Sequence, residues 1–245
     1  MKLSLIIPAH NEARHIKQTT VGYLDFLRSK FLNDFEIIIV INGCTDNTLL
    51  LTQDLQQANP EIKVINDLVA AKGRAVRLGF KQAQGEWISF VDADNAISPL
   101  EWWKVFQAAV GGAELAMASR FLPSSQVFNR SWFRNIAGQI FSYSVRLIFN
   151  LPYRDTQCGA KVFNSQWLKK ILPILKVDNM AFDVELLWLL ARQGAKIKEV
   201  PIVWRAANFS AVANPLAFVK QSLKMLYSLL IIRLSSYSYD NQTNY

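Results

Sequence analysis

Cysteine and histidine are scarce in this sequence of 245 residues. The two cysteines, Cys44 and Cys158, are too few and too far apart for a disulfide framework or a CxxC-type zinc site. The two histidines, His10 and His15, lack the HExxH spacing of a zinc-dependent hydrolase. We therefore expect a chain that works in a reducing compartment, without a zinc site made from cysteine and histidine.

Two common nucleotide-binding motifs are also missing. No GxGxxG follows a predicted strand and no GxxxxGKS/T occurs, which disfavours a Rossmann dehydrogenase or a P-loop ATPase.

The apolar run at residues 3–7 ends too soon for a secretion signal. The longest uncharged run in the stretch 214–234, at residues 225–232, is too short to cross a bilayer. The sequence thus predicts neither a secretion signal nor a convincing membrane-spanning helix.

The two halves of the chain differ in charge. Residues 1–119 hold 11 Lys and Arg against 13 Asp and Glu, whereas residues 120–245 hold 16 against 6. This asymmetry favours an anionic partner for the second half, either nucleic acid or an anionic membrane surface, and an ordinary basic surface explains it equally well. A nucleic-acid binder is disfavoured because the basic residues alternate with long aliphatic side chains.

The order of apolar and amphipathic segments predicts one α/β domain. The composition, 51% hydrophobic and 19% charged, is sufficient for one sizeable core. Short runs rich in Ile and Val alternate with longer amphipathic stretches, as in βα units around a mostly parallel, doubly wound sheet. Strands are predicted near residues 3–9, 35–41, 62–66, 87–93 and 113–119, and helices near residues 12–30, 45–58, 72–84 and 99–110.

Polar residues follow several of these strands, where the ligands of doubly wound sheets collect. The clearest candidate is Asp92-Ala93-Asp94, because two carboxylates one residue apart at a strand end can reach Mg²⁺ or Mn²⁺ on a diphosphate. A lone pair of this kind is more often a turn or a cap for the helix near Pro99. The other candidate strand ends are Pro8–Glu12, Asn42–Asp46 and Ser119–Arg120.

Two later stretches combine apolar side chains with cations. Residues 128–150 interleave aromatic and aliphatic residues with three arginines and no acid, and residues 214–234 carry two lysines and one arginine in the same way. Such segments suit amphipathic helices at a membrane interface, with the cations toward lipid headgroups. They suit core helices with snorkelling cations equally well, so the sequence leaves both interpretations open.

Eight short motifs occur in order along nearly the whole chain. They are IIPAHNE at 6–12, INGCTDNT at 41–48, KGRAVRLGF at 72–80, FVDADNA at 90–96, ASR at 118–120, RDTQCGAKVF at 154–163, MAFDVELLWLLARQG at 180–194 and KEVPIVW at 198–204. Together they resemble the family 2 glycosyltransferases of GT-A fold, and within them the synthases of polyprenyl-phosphate sugars. The last three motifs look closest to dolichyl-phosphate glucose synthases, with dolichyl-phosphate mannose synthases a step behind.

The resemblance implies a role for each matched residue. Asp94 would ligate Mg²⁺ or Mn²⁺ on the diphosphate of a nucleotide sugar, and Asp92 would lie near the ribose. The expected catalytic residues are Asp94, Arg120, Asp155 and Gln157. The expected nucleotide-sugar site consists of Pro8, Ala9, Asn11, Glu12, Asn42, Lys72, Asp92, Ala93, Asp94 and Arg205. The expected lipid-phosphate site consists of Arg120, Arg130 and Arg134.

The implied activity is transfer of a hexose with inversion. We expect glucose from UDP-glucose to move onto a polyprenyl or dolichyl phosphate at the cytoplasmic face of a membrane, with peripheral attachment. Residues 1–210 would form the GT-A catalytic domain, including interface helices near 128–150, and residues 211–245 an amphipathic membrane-associating segment. The alternatives are a GDP-mannose-dependent synthase and a catalytically weakened relative that binds nucleotide or lipid.

Three positions depart from the family pattern. Asn42 lies in Ile41-Asn42-Gly43, where Asp-Asp-Gly is usual, so it would contact the base without a charge. Ala96 occupies the place of a glutamine that often adds a metal ligand, which leaves Asp94 as the one protein ligand expected. Residues 209–211 read Phe-Ser-Ala instead of Gly-Ser-Lys, so Arg205 is the nearest candidate to replace the missing lysine.

Overall fold

The molecule is built around one large sheet and one small one. The computed structural model describes residues 1–206, 215–235 and 237, with the backbone alone for residues 215–222. The strands in the described part are β1 (Leu3–Ala9), β2 (Phe35–Asn42), β3 (Ile62–Asp67), β4 (Trp87–Val91), β5 (Leu115–Ser119), β6 (Gln126–Phe128), β7 (Ala160–Asn164), β8 (Ile197–Pro201) and β9 (Val203–Arg205). The α-helices are α1 (Ile16–Phe31), α2 (Thr48–Ala58), α3 (Lys72–Gln82), α4 (Pro99–Val110), α5 (Trp132–Phe149), α6 (Ser165–Ile171), α7 (Phe182–Arg192) and α8 (Pro215–Leu234).

The large sheet has seven strands in the order β3-β2-β1-β4-β7-β5-β8. Its first four strands run parallel, β7 is antiparallel to both β4 and β5, and β5 pairs in parallel with β8. Strands β6 and β9 form a separate two-stranded ribbon. The expected mostly parallel α/β sheet flanked by helices is confirmed.

Continuous apolar runs explain the central strands. Every residue of β1, β2, β4 and β5 is buried, as expected for strands covered by helices on both faces. One face packs on α1 and α4 through Tyr23 and Trp102, and the other packs on α3 and α7 through Phe80 and Leu187. The core therefore lies in two layers, one on each side of the sheet.

Two predicted helices begin later than expected, at Ile16 instead of residue 12 and at Thr48 instead of residue 45. The residues ahead of them form loops held by side chains. Asn11 has φ +55°, and the Thr48 amide donates to Asp46 Oδ1 at 3.0 Å just before α2. These loops lie at the carboxyl ends of β1 and β2, where a ligand would bind.

Helices α5 and α8 pack against each other and have two different sides. Val145 and Phe149 of α5, and Leu229 and Ile232 of α8, are buried in the core. Exposed apolar residues line the other side of both helices: Trp132, Ile136, Ile140, Tyr143 and Leu147 on α5, and Leu223, Tyr227, Leu230 and Leu234 on α8. Each helix therefore has a core side, as the core-helix interpretation expects, and an open apolar side, and attachment to a membrane through that side stays a prediction.

Among the described residues, no helix has the length and hydropathy that a membrane span requires. The expected boundary near residue 210 and the departure at 209–211 both lie outside the described residues, so the division of the chain at that point stays a prediction.

Candidate active site

The loops that follow β1 and β2 are held together by side chains of both. Asn11 Oδ1 accepts a hydrogen bond from the Thr45 amide at 2.8 Å, and the Glu12 amide donates to Thr48 Oγ1 at 2.8 Å. The Ala13 amide donates to Asp46 Oδ2 at 3.1 Å. These bonds fix the Pro8–Glu12 loop at the end of the sheet.

Asn42, at the end of β2, lies beside this loop. Its carbonyl accepts a hydrogen bond from His10 Nδ1 at 2.7 Å, which places the His10 ring next to the strand end. Gly43 follows with φ +61°, and a Cβ there would lie 2.7 Å from the Ala70 amide nitrogen. A glycine is therefore required for both the turn and the close approach of the loop after β3.

Asp92 forms an ion pair with Lys72 at the start of α3. Its amide donates to the carbonyl of Gly159 at 3.0 Å, and a Cβ on Gly159 would lie only 1.8 Å from Asp92 Oδ2. Burial alone would raise the pKa of Asp92, but the adjacent Lys72 ammonium holds it below its ordinary value. Asp92 is therefore a carboxylate with one defined position.

Asp94 lies in a turn braced from α1. Thr19 Oγ1 donates to the carbonyl of Ala93 at 2.7 Å, and Asp94 Oδ1 accepts a hydrogen bond from the Ala96 amide at 3.0 Å. Burial, followed by the nearby charge of Asp92, raises the pKa of Asp94 to about 6. An added cation would relieve the repulsion between the two carboxylates.

These residues fit a divalent cation that is shared with a ligand. Asp94 offers the hard oxygen donors that Mg²⁺ and Mn²⁺ prefer, with one carboxylate oxygen not used by the Ala96 amide. Within the described residues, no group of three His, Cys, Asp or Glu side chains converges on one point. The chain would therefore hold such an ion through Asp94 and leave the other positions to ligand oxygens and water.

A second buried ion pair lies behind Asp92. Lys161 of β7 is fully buried; its ammonium donates to Asp183 Oδ1 at 2.6 Å and to the carbonyl of Cys158 at 2.9 Å. Lys72 and Lys161 lie 5.9 and 5.1 Å from the centre of the Phe90 ring. The pairs Asp92–Lys72 and Lys161–Asp183 thus form one buried group of alternating charges under the cleft.

These features open into a cleft of about 770 Å³, called the donor cleft below because the resemblance found in the sequence predicts the sugar donor there. Pro8, Glu12, Asn42, Lys72 and Asp92–Asp94 line it as expected, whereas Ala9 and Asn11 support it from the loop. Several further lining residues were not predicted, because all but Met180 lie outside the motifs recognised in the sequence. They are Lys176–Met180, Lys224, Ser228, Ile231, Ser235 and Tyr237.

Arg205, the expected substitute for the missing lysine, is not among the residues that line the donor cleft. Its guanidinium lies 4.2 Å from the centre of the Phe128 ring, and only its amide approaches the site, donating to the carbonyl of Ala96 at 3.0 Å. The structure therefore brings Lys72 to the cleft but leaves the Arg205 side chain on the β6–β9 ribbon.

A second cavity of about 540 Å³ lies between α5, α8 and the end of β5, and it is called the acceptor groove because it contains the arginines of the expected lipid-phosphate site. Arg120 and Asp155 meet in it: Nε donates to Oδ2 at 2.7 Å and a terminal nitrogen donates to Oδ1 at 2.9 Å. Burial would lower the pKa of Arg120, but Asp155 raises it above its ordinary value. Asp155 thus fixes Arg120 in the groove wall. Met180 lines both cavities, which makes them neighbours.

Three polar groups in this groove are buried without a partner among the described residues: one terminal nitrogen of Arg130, Thr156 Oγ1 and Gln157 Nε2. Burial, followed by the nearby charge of Arg120, lowers the pKa of Arg130 to about 10. Such groups destabilise the protein unless a ligand or water completes their hydrogen bonds. Arg134 also lines the groove, so all three predicted arginines are brought together.

Comparison with known proteins identifies the family. The model of glycosyl transferase family 2 matches residues 4–172, more than half of the chain. The chain belongs to that family. It is a glycosyltransferase, and it is 31% identical to the dolichyl-phosphate beta-glucosyltransferase of Saccharomyces cerevisiae over 95% of this chain and 74% of the relative. The enzyme of the same name from Drosophila melanogaster is 32% identical over 83% and 67%.

Solved structures agree on the fold. Glucosyl-3-phosphoglycerate synthase from Mycobacterium tuberculosis, in complex with Mn²⁺, UDP and phosphoglyceric acid, superposes with a TM-score of 0.70 at 15% identity, covering 97% of this chain and 80% of the other. Its complex with UDP gives a TM-score of 0.69 at 17% identity, covering 97% and 82%. The fold of the chain is therefore GT-A.

Proposed function

We propose that this glycosyltransferase moves glucose from UDP-glucose onto dolichyl phosphate or another polyprenyl phosphate, with inversion. The observation that carries the proposal is the acceptor groove, which combines an apolar wall with a half-buried arginine, Arg130, one of whose terminal nitrogens is buried without a partner among the described residues. Relatives at about 30% identity carry the name dolichyl-phosphate beta-glucosyltransferase. A lipid phosphate is the acceptor that this combination of an apolar wall and a half-buried cation suits best.

The acceptor is held at its two ends by different chemistry. The lipid chain would lie against Phe133, Ile140 and Leu226, three apolar residues that line the groove. The phosphate would complete the hydrogen bonds of Arg130 and Gln157, which would otherwise stay buried and unpaired. Arg120 would face the same phosphate while Asp155 keeps its guanidinium in place.

The reaction needs little proton transfer. An acceptor phosphate is already an anionic nucleophile, so one of its oxygens can attack the anomeric carbon while the bond to the departing diphosphate breaks. Neighbouring cavities separated by Met180 suit an attack opposite the leaving group, which inverts the configuration. The side chains of this chain would orient both substrates and stabilise the charge that develops on the leaving diphosphate.

Mg²⁺ or Mn²⁺ bound through Asp94 would neutralise charge on the leaving diphosphate. The solved structures of similar fold contain UDP together with Mn²⁺ or Mg²⁺. Asp92, held by Lys72, would accept a hydrogen bond from the ribose. Pro8 and Asn42 would border the base at the ends of β1 and β2.

Peripheral attachment at the cytoplasmic face of a membrane completes the proposal. The open apolar side shared by α5 and α8, from Trp132 to Leu147 and from Leu223 to Leu234, is bordered by exposed cations such as Arg146 and Arg233. Apolar residues inserted among the acyl chains, with cations toward anionic headgroups, are a known mode of interfacial binding. The mouth of the acceptor groove includes the same helices, so the lipid could enter it from the bilayer.

The deciding experiment compares donors. Purified enzyme is incubated with Mn²⁺, a short polyprenyl phosphate and either UDP-glucose or GDP-mannose, and glycolipid formation is measured. We expect transfer from UDP-glucose and loss of orders of magnitude in rate for Asp94→Asn. Transfer from GDP-mannose alone would replace the donor assignment. Transfer from neither donor would support a weakened, binding-only relative.

The acceptor assignment has its own test. Arg130→Gln removes the incompletely bonded cation, so we expect the KM for polyprenyl phosphate to rise about tenfold or more while UDP affinity is unchanged. Arg192→Gln, on the far end of α7 and outside both cavities, is the matched control for loss of one arginine. An unchanged KM in Arg130→Gln would place the acceptor phosphate elsewhere.

A further inference from the structure

The charges of the donor cleft are largely neutralised in pairs. Asp92 is bound to Lys72, and Asp178 is bound to Arg77. The diphosphate of a nucleotide sugar brings two negative charges into this cleft and gains a third when the sugar leaves, and a divalent ion bound through Asp94 also offsets the charge of that carboxylate, so one such ion is not enough to neutralise them all. Lys72 is already paired, and Arg205 stacks on Phe128 outside the cleft. Some other cation must therefore face the diphosphate.

Lys224 of α8 meets that requirement. It lines the donor cleft together with Asp94, and its ammonium makes no hydrogen bond or ion pair with the residues that the structure describes. The turn that carries it is tied down, since Ser228 Oγ donates to the Lys224 carbonyl at 2.9 Å and accepts from Asn179 Nδ2 at 3.0 Å. The backbone of Lys224 is thus held on the cleft wall while its charge stays available.

Lys176 lies on the same wall, in the loop ahead of α7. The fully buried carboxylate of Glu185 holds this loop, because it accepts hydrogen bonds from the amides of Lys176 and Val177, both at 2.9 Å. Glu185 also accepts a hydrogen bond from the Tyr237 hydroxyl at 2.7 Å. The Lys176 ammonium lies 5.0 Å from the centre of the Tyr237 ring. One carboxylate therefore joins the loop, its lysine and the chain beyond α8 into a single wall.

We propose that Lys224 and Lys176 contact the diphosphate of the donor and that Glu185 is the positioning residue for this wall. The inference rests on the proposed function. It assigns to the C-terminal helix a part of the donor site, in addition to the apolar side that it presents outward. It also explains how the enzyme works without a lysine at 209–211: the cation comes from α8, later in the chain.

The test measures UDP affinity by isothermal titration calorimetry in the presence of Mn²⁺, using the full chain. Lys224→Gln should weaken UDP binding about tenfold and Lys176→Gln several-fold, because each removes a charge-assisted contact. Lys224→Arg should restore most of the affinity. Arg233→Gln, which removes a cation from the same helix outside the cleft, should leave it within twofold. Uridine, which lacks both phosphates, should bind to all variants with the same affinity.

The outcomes separate the two proposals. Binding of UDP by the wild type, with no loss in Lys224→Gln, would overturn the role of Lys224 and leave the proposed function intact. An equal loss in Arg233→Gln would also overturn it, since the effect would then be one of general charge. Absence of UDP binding by the wild type would remove both proposals together.

Discussion

A single methyl group on Gly159 should displace the carboxylate of Asp92. Gly159 follows Cys158 and precedes β7, and its ideal Cβ would lie 1.8 Å from Asp92 Oδ2, 2.2 Å from Cγ and 2.6 Å from Oδ1. Ordinary contacts of this kind need about 3.5 Å, so in Gly159→Ala the carboxylate must move by roughly 1.5 Å or more. The ion pair with Lys72 then loses its present geometry.

The change in the free energy of unfolding caused by Gly159→Ala is the balance of two opposing effects. Overpacking of a well-packed site costs about 1–3 kcal/mol, whereas replacing glycine at an ordinary φ stabilises by about 0.4–1 kcal/mol through the unfolded chain. Gly159 is outside the left-handed region, so the second effect applies. The net destabilisation is then about 0.5–2 kcal/mol. For a chain of this size, 1 kcal/mol lowers Tm by roughly 2–4 °C.

The assay combines thermal unfolding with UDP titration in Mn²⁺. Gly159→Ala should lower Tm by a few degrees and weaken UDP binding about tenfold, because Asp92 no longer meets the ribose. Gly22→Ala is the matched control, since no atom lies within 4 Å of its ideal Cβ and it sits inside α1. That variant should be more stable by about 0.5–1 kcal/mol and bind UDP normally. Normal UDP affinity in Gly159→Ala would refute the reasoning.

Two further predictions concern buried groups. Lys161→Met leaves the carboxylate of Asp183 without its partner in the core, so the free energy of unfolding measured in urea should fall by about 3–5 kcal/mol. The double variant Lys161→Met/Asp183→Leu should recover most of that loss. A loss below 1 kcal/mol in the single variant would contradict the buried pair. Burial, followed by the charge of Asp155, raises the pKa of the Cys158 thiol to about 12. Iodoacetamide at pH 8 should therefore label Cys44 alone in the native protein and both thiols after unfolding, and mass spectrometry counts the adducts. Two adducts in the native state would disprove the burial of Cys158.

Local patterns were sufficient for the first half of the fold. The apolar runs of β1 to β5 and the amphipathic stretches between them predicted these strands to within a few residues. Parallel strands that are buried on both faces are nearly continuous runs of hydrophobic residues, which makes them easy to recognise. Strand β7 was missed. It is antiparallel, it starts at Ala160 directly after a glycine, and it carries the charged Lys161 at a position where a buried strand normally has an apolar residue.

The carboxylate pair was also visible in the sequence, since Asp92 and Asp94 end an apolar run and the neighbouring motifs match a known family. The difference between the pKa values of these two carboxylates could not be inferred from their spacing in the sequence. Lys72 lowers the pKa of Asp92, whereas burial and Asp92 raise that of Asp94 to about 6. Spacing could not reveal this difference, because Asp92 is paired with a lysine 20 residues earlier in the chain and Asp94 is buried by the fold.

The sequence by itself determined the fold class, the family and the strand ends that carry the candidate site, because hydrophobic periodicity and short motifs are local properties. Only the tertiary structure decided which cations reach the site. Arg205 is near the expected position in the chain but turns to Phe128, whereas Lys224 is distant in the chain and lines the donor cleft. The physical reason is that helix packing sets the direction of a side chain, and packing depends on contacts between residues far apart in sequence.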